Sequence, residues 1–417
     1  MTQDNVFPLE KHHRPLVDDP LTELLRQKAC AMLAQAVEAE ADAFLERHQT
    51  LRDAEGRQRL VRNGYLPERA VQTGIGAVSV RVPRVRDRGD AAAKIRFTSS
   101  ILPPYLRRTR SLEALLPWLY LKGISTGQFT DALAALLGTD APNLSASTIA
   151  RLNATWKAEY DAWRTRDLTG KQYVYVWVDG VYFTPRLEHD RQCILVIIGA
   201  TETGSKELVA VEDGFRESTE SWRDLLRKLK ARGLEEGPKL AIGDGALGFW
   251  RALQEVYGTC EQQRCWVHKT ANVLNYLPES LQKKAKAQMQ QIYMAETKEA
   301  AERAFESFVA RYGAKYPKAT SCLEKDRAEL LAFYSYPAEH WVHLRTTNPI
   351  ESTFATVRLR TARTKGCLSR TTGLVMVWRL CQMAQKQWRK LNGSPHIIHV
   401  LTGAKYIDGI HPDRIAA

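Results

Sequence analysis

The run Tyr173-Val174-Tyr175-Val176-Trp177-Val178 holds six β-branched or aromatic residues in succession. It predicts a strand buried on both faces, so the chain has to build a sheet with cover on either side. Asp179 and Gly180 follow at its end. Two readings are open for that pair. Asp-Gly is a strong turn dipeptide, and a buried strand can also deliver an acid to a site at its tip.

A second occurrence favours the site. Lys239-Leu240-Ala241-Ile242-Gly243-Asp244-Gly245 is another short apolar run ending in Asp-Gly, and residues 246–253 continue with helical spacing. Two strands that each end in an Asp bring both carboxylates to one edge of a sheet. Paired carboxylates require a divalent cation between them, and oxygen-only ligation suits Mg²⁺ or Mn²⁺.

A chain of 417 residues exceeds one ordinary core, so two or three domains are expected. With 44% apolar and 26% charged residues it falls in the globular class rather than the disordered one. The net charge of +13 favours a polyanionic partner. Seven scattered cysteines outline no disulfide framework and fit a reducing cytosol. No signal core is present, and no apolar run approaches the roughly twenty residues of a membrane span. The expected location is therefore cytoplasmic, with no membrane partner.

Leu21 to Arg47 reads as a helix from apolar residues at helical spacing. The alternation Val78-Ser79-Val80-Arg81-Val82 predicts a half-exposed strand, with Arg81, Arg84, Arg86 and Arg88 on its polar face and flanks. That basic face fits phosphate contact, and a solvated arginine face fits it too. Residues 105–152 read as short helices separated at Gly123 and Gly138, the pattern of a helix-turn-helix reader and also of a plain bundle.

From residue 171 strands take over: 173–178, 193–200, 208–211 and 240–242, with a helix over Ser218–Lys230. Three strands, a helix, a fourth strand and another helix is the order of a ribonuclease-H-like core. Gln262 to His268 reads as a fifth strand entering a helix. Residues 279–345 are helical and charged with no strand signal, hence an all-helical insertion. Beyond it, Asn348-Pro349 opens a helix that holds Glu351 near its start. Residues 352–390 then carry Arg358, Arg360, Arg363, Lys365, Arg370 and four further cations with no acid, which reads as a DNA-binding surface.

These blocks together resemble the Mutator-type bacterial insertion-sequence transposases, a branch of the DDE recombinases. The matching stretches are Asn63-Gly64-Tyr65, Val82-Pro83-Arg84-Val85-Arg86, Leu119 to Thr126, Val178-Asp179-Gly180, Gly243-Asp244-Gly245, Cys265-Trp266-Val267-His268 and Thr347-Asn348-Pro349-Ile350-Glu351. The resemblance spans about residues 60 to 390. It implies Asp179, Asp244 and Glu351 as catalytic acids that hold two Mg²⁺ or Mn²⁺ ions, with Asp179 bridging. The reaction it implies is cleavage at terminal inverted repeats followed by strand transfer to target double-stranded DNA, by a homodimer or higher oligomer.

The resemblance also implies a role for His268 near the scissile phosphate or beside a carboxylate, with Cys265, Trp266 and Asn348 in support. A buried, hydrogen-bonded Cys–His pair is the competing reading. As a zinc set, Cys-x-x-His is only half a finger. Trp266 reads as core or as a stacking surface for a base.

The expected architecture is thus α/β. A mainly helical DNA-binding region (1–155) precedes a ribonuclease-H-like core in two parts (170–275 and 346–400), interrupted by the helical insertion (276–345). A metal-dependent nuclease without strand transfer, or a catalytically inactive DNA-binding regulator, would carry much of the same pattern.

Overall fold

The computed structural model describes residues 20–89, 94–109, 111–112, 119, 121, 146–184, 191–214, 216–245, 247–363, 369–411 and 413. The chain divides into two compact units, residues 1–152 and 153–417.

In the first unit the helix α1 (Pro20–Arg47) is followed by four strands: β1 (Leu60–Tyr65), β2 (Arg69–Thr73), β3 (Gly76–Val80) and β4 (Pro83–Asp87). β1 pairs with β4 and β2 with β3, both antiparallel. Val37 of α1 meets Val71, Val78, Val80, Val82 and Leu102 in one apolar core. The described part of this unit thus holds, besides α1, three strands that the sequence reading did not include. Only β3 has a clean alternation; β1 and β2 mix Arg, Asn and Gln with their apolar residues and give no period-2 signal. The helix-turn-helix reading of 105–152 lies mostly outside the described residues.

In the second unit, after the helix α2 (Ala146–Arg164), a single sheet is built from β5 (Tyr173–Phe183), β6 (Gln192–Thr201), β7 (Lys206–Gly214), β8 (Leu240–Gly243) and β9 (Glu261–Arg264). Its strand order is β7-β6-β5-β8-β9. The first three run antiparallel, while β8 and β9 join parallel to β5. Tyr173 to Val178 are all buried, as a central strand covered on both faces requires.

The sheet's cover comes from amphipathic helices. In α3 (Thr219–Ala231) Trp222, Leu225, Leu226 and Leu229 are buried, the i, i+3, i+4, i+7 stripe of one helix face. Ser218 caps it by accepting from the Ser221 amide, an interaction worth about 1 kcal/mol. The helix α4 (Leu247–Val256) adds Phe249, Trp250 and Leu253 to the same core. The helix α5 (Trp266–Leu274) follows β9 directly.

The segment 276–345 is helical throughout its regular structure, led by α6 (Glu279–Tyr293), α7 (Lys298–Tyr312) and α8 (Pro317–Glu324). Its return to the sheet is pinned by side chains. Tyr175 Oη lies 2.7 Å from His340 Nδ1, Trp177 Nε1 donates to the His343 carbonyl, and the buried Lys269 ammonium meets Asp326. Two longer helices follow, α9 (Asn348–Arg363), packed against β5, and α10 (Arg370–Gln385), packed against β7 and β6. Among the described residues no helix is long and apolar enough to cross a membrane.

Candidate active site

β5 outlasts its parallel neighbour. Tyr175 faces Leu240, Val176 faces Ala241 and Trp177 faces Ile242, where the pairing with β8 stops. On the other edge β5 stays paired with β6 as far as Phe183, so Asp179 sits inside a strand opposite Val196. The turn reading of Asp179-Gly180 is thereby corrected: the β6 ladder holds both residues extended. The register offset between β5 and β8 is 240 − 175 = 65, and 244 − 179 is also 65. Asp179 and Asp244 thus stand level, two residues past the last paired position, where a free strand edge opens. In-register neighbours on parallel strands share a face.

Both backbones are held firmly there. The Gly180 amide donates to Asp179 Oδ1 at 2.8 Å. The Asp244 carbonyl accepts from Trp250 Nε1 at 2.9 Å and from Arg264 Nη1 at 2.5 Å, with the Arg264 guanidinium over the Trp250 ring. Val178, Asp179, Glu217, Gly243, Asp244 and Trp250 line a cleft of about 10 Å³, the room of one water or one metal ion. Burial, then the charges of Asp244 and Glu217, push Asp179 up to about 7. Burial and Asp244 likewise raise Glu217. Sequence reasoning missed Glu217, which precedes a helix cap in an unremarkable polar loop.

Glu351 reaches this end of the sheet by a separate route. Trp266 N donates to the Arg345 carbonyl at 2.9 Å, which lays the chain leaving the insertion alongside the start of α5. Thr347 follows, fully buried, with its hydroxyl 2.7 Å from Glu351 Oε1. Its amide and hydroxyl each lie 3.3 Å from Cys265 Sγ. His268 Nδ1 is 3.6 Å from Glu351 Oε1. The donor atoms of Cys265, His268 and Glu351 all lie within 4.8 Å of one another. A hydrogen bond to Cys265, aided by the charges of Cys265, Asp244 and Glu351, outweighs burial and holds His268 up at about 9, an imidazolium at neutral pH. Burial raises the Cys265 thiol, but hydrogen bonds to His268 and Thr347 bring it below its usual value.

The oxygen donors on Asp179, Asp244 and Glu217 around an ion-sized cleft fit a hard divalent cation such as Mg²⁺ or Mn²⁺. A thiol, an imidazole and one carboxylate form a softer set beside it.

Other residues singled out in the sequence fall elsewhere. Trp266 is 1% exposed, packs on Tyr293 and donates Nε1 to the Leu330 carbonyl, so no face of it is left for a base. Asn348 is exposed at the start of α9. Arg81, Arg84 and Arg86 are exposed on the first unit. Arg358 is exposed on α9, Arg360 and Arg363 lie on its last turns, and Lys365 is outside the described residues. Arg370 pairs with Asp213 at 3.1 Å, and Arg379 pairs with Glu159 at the same distance. The acid-free run is therefore not uniformly a free cationic face, because its counter-charges come from β7 and α2.

The state of Asp179 has a consequence for stability without metal. Its folded pKa of about 7 lies above the usual 3.8, so between those values the folded chain keeps a proton that the unfolded chain has lost. Wild-type stability should fall as pH rises through that window, by up to about 1.4 kcal/mol per pH unit. Asp179→Asn removes this contribution. Chemical denaturation in chelator should show the variant gaining on wild type from pH 4 to 7 and levelling off above. A pH-independent difference would contradict the burial and repulsion described.

A family model described as "Transposase, Mutator family" matches residues 1–390. The chain is 52% identical over 299 residues to the transposase for insertion sequence element IS6120 of Mycolicibacterium smegmatis, covering 72% of this chain and 92% of that protein. It is 53% identical over 287 residues to the transposase for insertion sequence element IST2 of Acidithiobacillus ferrooxidans, covering 67% and 95%. Among solved structures, the Drosophila P element transposase strand transfer complex overlaps 73% of this chain and 91% of its own at 9% identity and a TM-score of 0.23. The HTLV-2 integrase catalytic core domain in complex with magnesium overlaps 33% and 86% at 13% identity and a TM-score of 0.17. Overlaps that low carry no argument about this chain.

Proposed function

The chain belongs to the Mutator family of transposases, and from that premise we propose that it moves an insertion sequence through an Asp179/Asp244/Glu351 site that depends on divalent metal. The observation that carries this reading is the shared offset of 65 residues, which sets two carboxylates level at the open edge between β5 and β8. The strand order, three antiparallel strands followed by two parallel ones, supports a ribonuclease-H-like core. Asp179 and Asp244 would hold Mg²⁺ or Mn²⁺ with Glu351, two ions in all and Asp179 common to both. Bound there, the metal supplies Lewis acidity at the attacking and leaving oxygens.

The chain's own residues keep that constellation in place. Trp250 and Arg264 anchor the Asp244 main chain, and the β6 ladder anchors Asp179. Thr347 donates to Glu351 and so orients the third acid across the gap left by the insertion. The His268 imidazolium puts a positive charge beside Glu351, suited to steadying either that carboxylate or a phosphate drawn into the site. The same site serves two successive steps. Water attacks phosphorus and a 3′ oxygen leaves as the 3′-OH, then that 3′-OH gives up its proton and attacks a target phosphodiester, whose own 3′ oxygen leaves and takes up a proton. Terminal inverted repeats and target DNA are the partners, and a dimer or higher oligomer holds two ends.

Purified protein, Mg²⁺ and labelled element ends test this directly. Cleavage followed by joining is the expected result. Cleavage without joining would make the protein a nuclease, and neither activity would make it a DNA-binding regulator. Within the site, Thr347→Val keeps side-chain volume but removes the donor to Glu351. It should slow cleavage about ten- to a hundred-fold with DNA affinity unchanged, and Thr347→Ser should restore the rate. Equal losses in the Val and Ser variants would assign Thr347 to packing alone.

A further inference from the structure

The cleft between Asp179 and Asp244 has a third carboxylate wall, Glu217, which the proposed triad leaves unused. Two glycines make room for it. A methyl group at Gly180 would stand 2.7 Å from Cδ and 2.8 Å from Cγ of Glu217, so the side chain lies against the bare strand next to Asp179. On the far side, a methyl group at Gly248 would stand 2.5 Å from the Glu217 carbonyl oxygen and 2.8 Å from Ser218 C and Thr219 N. The Glu217 backbone is thus seated on the first turn of α4, and its side chain on β5. The Ser218 cap fixes the next residue at the head of α3, and the nearby Tyr182 hydroxyl favours the charged form of the Glu217 carboxyl without overcoming burial and Asp244.

Among the described residues no lysine or arginine forms an ion pair with Glu217. The His268 charge offsets only part of this, since burial and Asp244 still hold Glu217 above its usual value, and a half-buried carboxylate that faces two others is costly unless a cation joins them. A solvated surface glutamate needs no such seat.

We propose that Glu217 is a fourth carboxylate ligand of the divalent-ion site, on the side formed by Asp179 and Asp244. This rests on the reading of that site as metal-binding. The ligand is the ion itself, and Glu217 would add one oxygen to a set otherwise completed by water. Its place on the loop between β7 and α3 also links ion binding to the seating of that loop, which the triad alone does not do.

The test uses the full-length protein without DNA, titrated with Mn²⁺ and followed by electron paramagnetic resonance, with melting curves in chelator and in Mn²⁺. Glu217→Gln should weaken Mn²⁺ binding at least ten-fold or remove one bound ion. It should also raise the melting temperature in chelator, by relieving repulsion, and shrink the rise that Mn²⁺ produces. A glutamate that only packs against Tyr182 would lower both melting temperatures and leave the Mn²⁺-dependent rise intact. Gly180→Ala offers a second route, since it displaces the carboxylate without deleting it. It should weaken Mn²⁺ binding in the wild-type background and add nothing in Glu217→Gln. If Glu217→Gln fails to fold, this variant alone decides, and unchanged Mn²⁺ binding in it would overturn the proposal. Asp179→Asn separates the two levels of the argument. Weakened binding there beside unchanged binding in Glu217→Gln overturns only the fourth ligand. Unchanged binding in both overturns the metal site.

Discussion

Asp179→Asn should abolish cleavage and joining together, by at least about a thousand-fold, while affinity for element ends stays within about two-fold. The substitution keeps the shape of the side chain and its place in the β6 ladder, and changes only the charge. Asp179 is the most consequential of the three acids because it is the one shared between the two proposed ions. It is also the one whose burial and neighbours most oppose its ionised form. Asp244→Asn and Glu351→Gln should each lose activity on the same scale. In the absence of metal Asp179→Asn should be more stable than wild type above pH 7, so inactivity with improved stability is its expected signature. Near-normal strand transfer by any of the three variants would remove that residue from the site.

Reversing Arg81, Arg84 and Arg86 to Glu should have the largest effect on binding. Arg84 and Arg86 are two apart on β4 and both exposed, so they share one face of the strand. Arg81 stands between β3 and β4 with its guanidinium 5.8 Å from the Tyr65 ring. If each contacts one phosphate, the slope of log affinity against log salt should become shallower by about 2.7, at about 0.9 per contact. Affinity at moderate salt should fall about a hundred- to a thousand-fold. Binding to element ends and to random DNA should fall alike, because phosphate contacts carry no sequence information. If affinity and slope both hold, these arginines form a solvated face.

How much of this was legible in the sequence follows from what each signal depends on. The central strand was legible because burial on both faces leaves an uninterrupted apolar run. The two Asp-Gly steps were legible because they repeat. That β5 runs on through Asp179 to Phe183 was hidden, since the ladder that holds it extended comes from β6, and no local pattern encodes a partner strand. The helical character of residues 279–345 was readable from periodicity alone.

Other features depend on contacts between distant segments. Arg370 and Arg379 look unopposed along the chain, but Asp213 and Glu159 neutralise them in space. Trp266 looks available for a base until the insertion covers it at Leu330 and Tyr293. Glu217 gives no signal because its meaning depends on two glycines, one 37 residues before it and one 31 after (217 − 180 and 248 − 217). The strands β1 and β2 escaped because polar residues interrupt their alternation, so a region read as mainly helical holds four strands in its described part.

The most direct test of the account is to locate the metal. Full-length protein bound to an element end should be crystallised with Mn²⁺ and its anomalous scattering recorded. The account predicts a peak in the cleft between β5 and β8, with oxygens of Asp179 and Asp244 about 2.0–2.2 Å away and Glu351 turned towards it. Anomalous density that avoids that cleft while strand transfer proceeds in the same sample would contradict it.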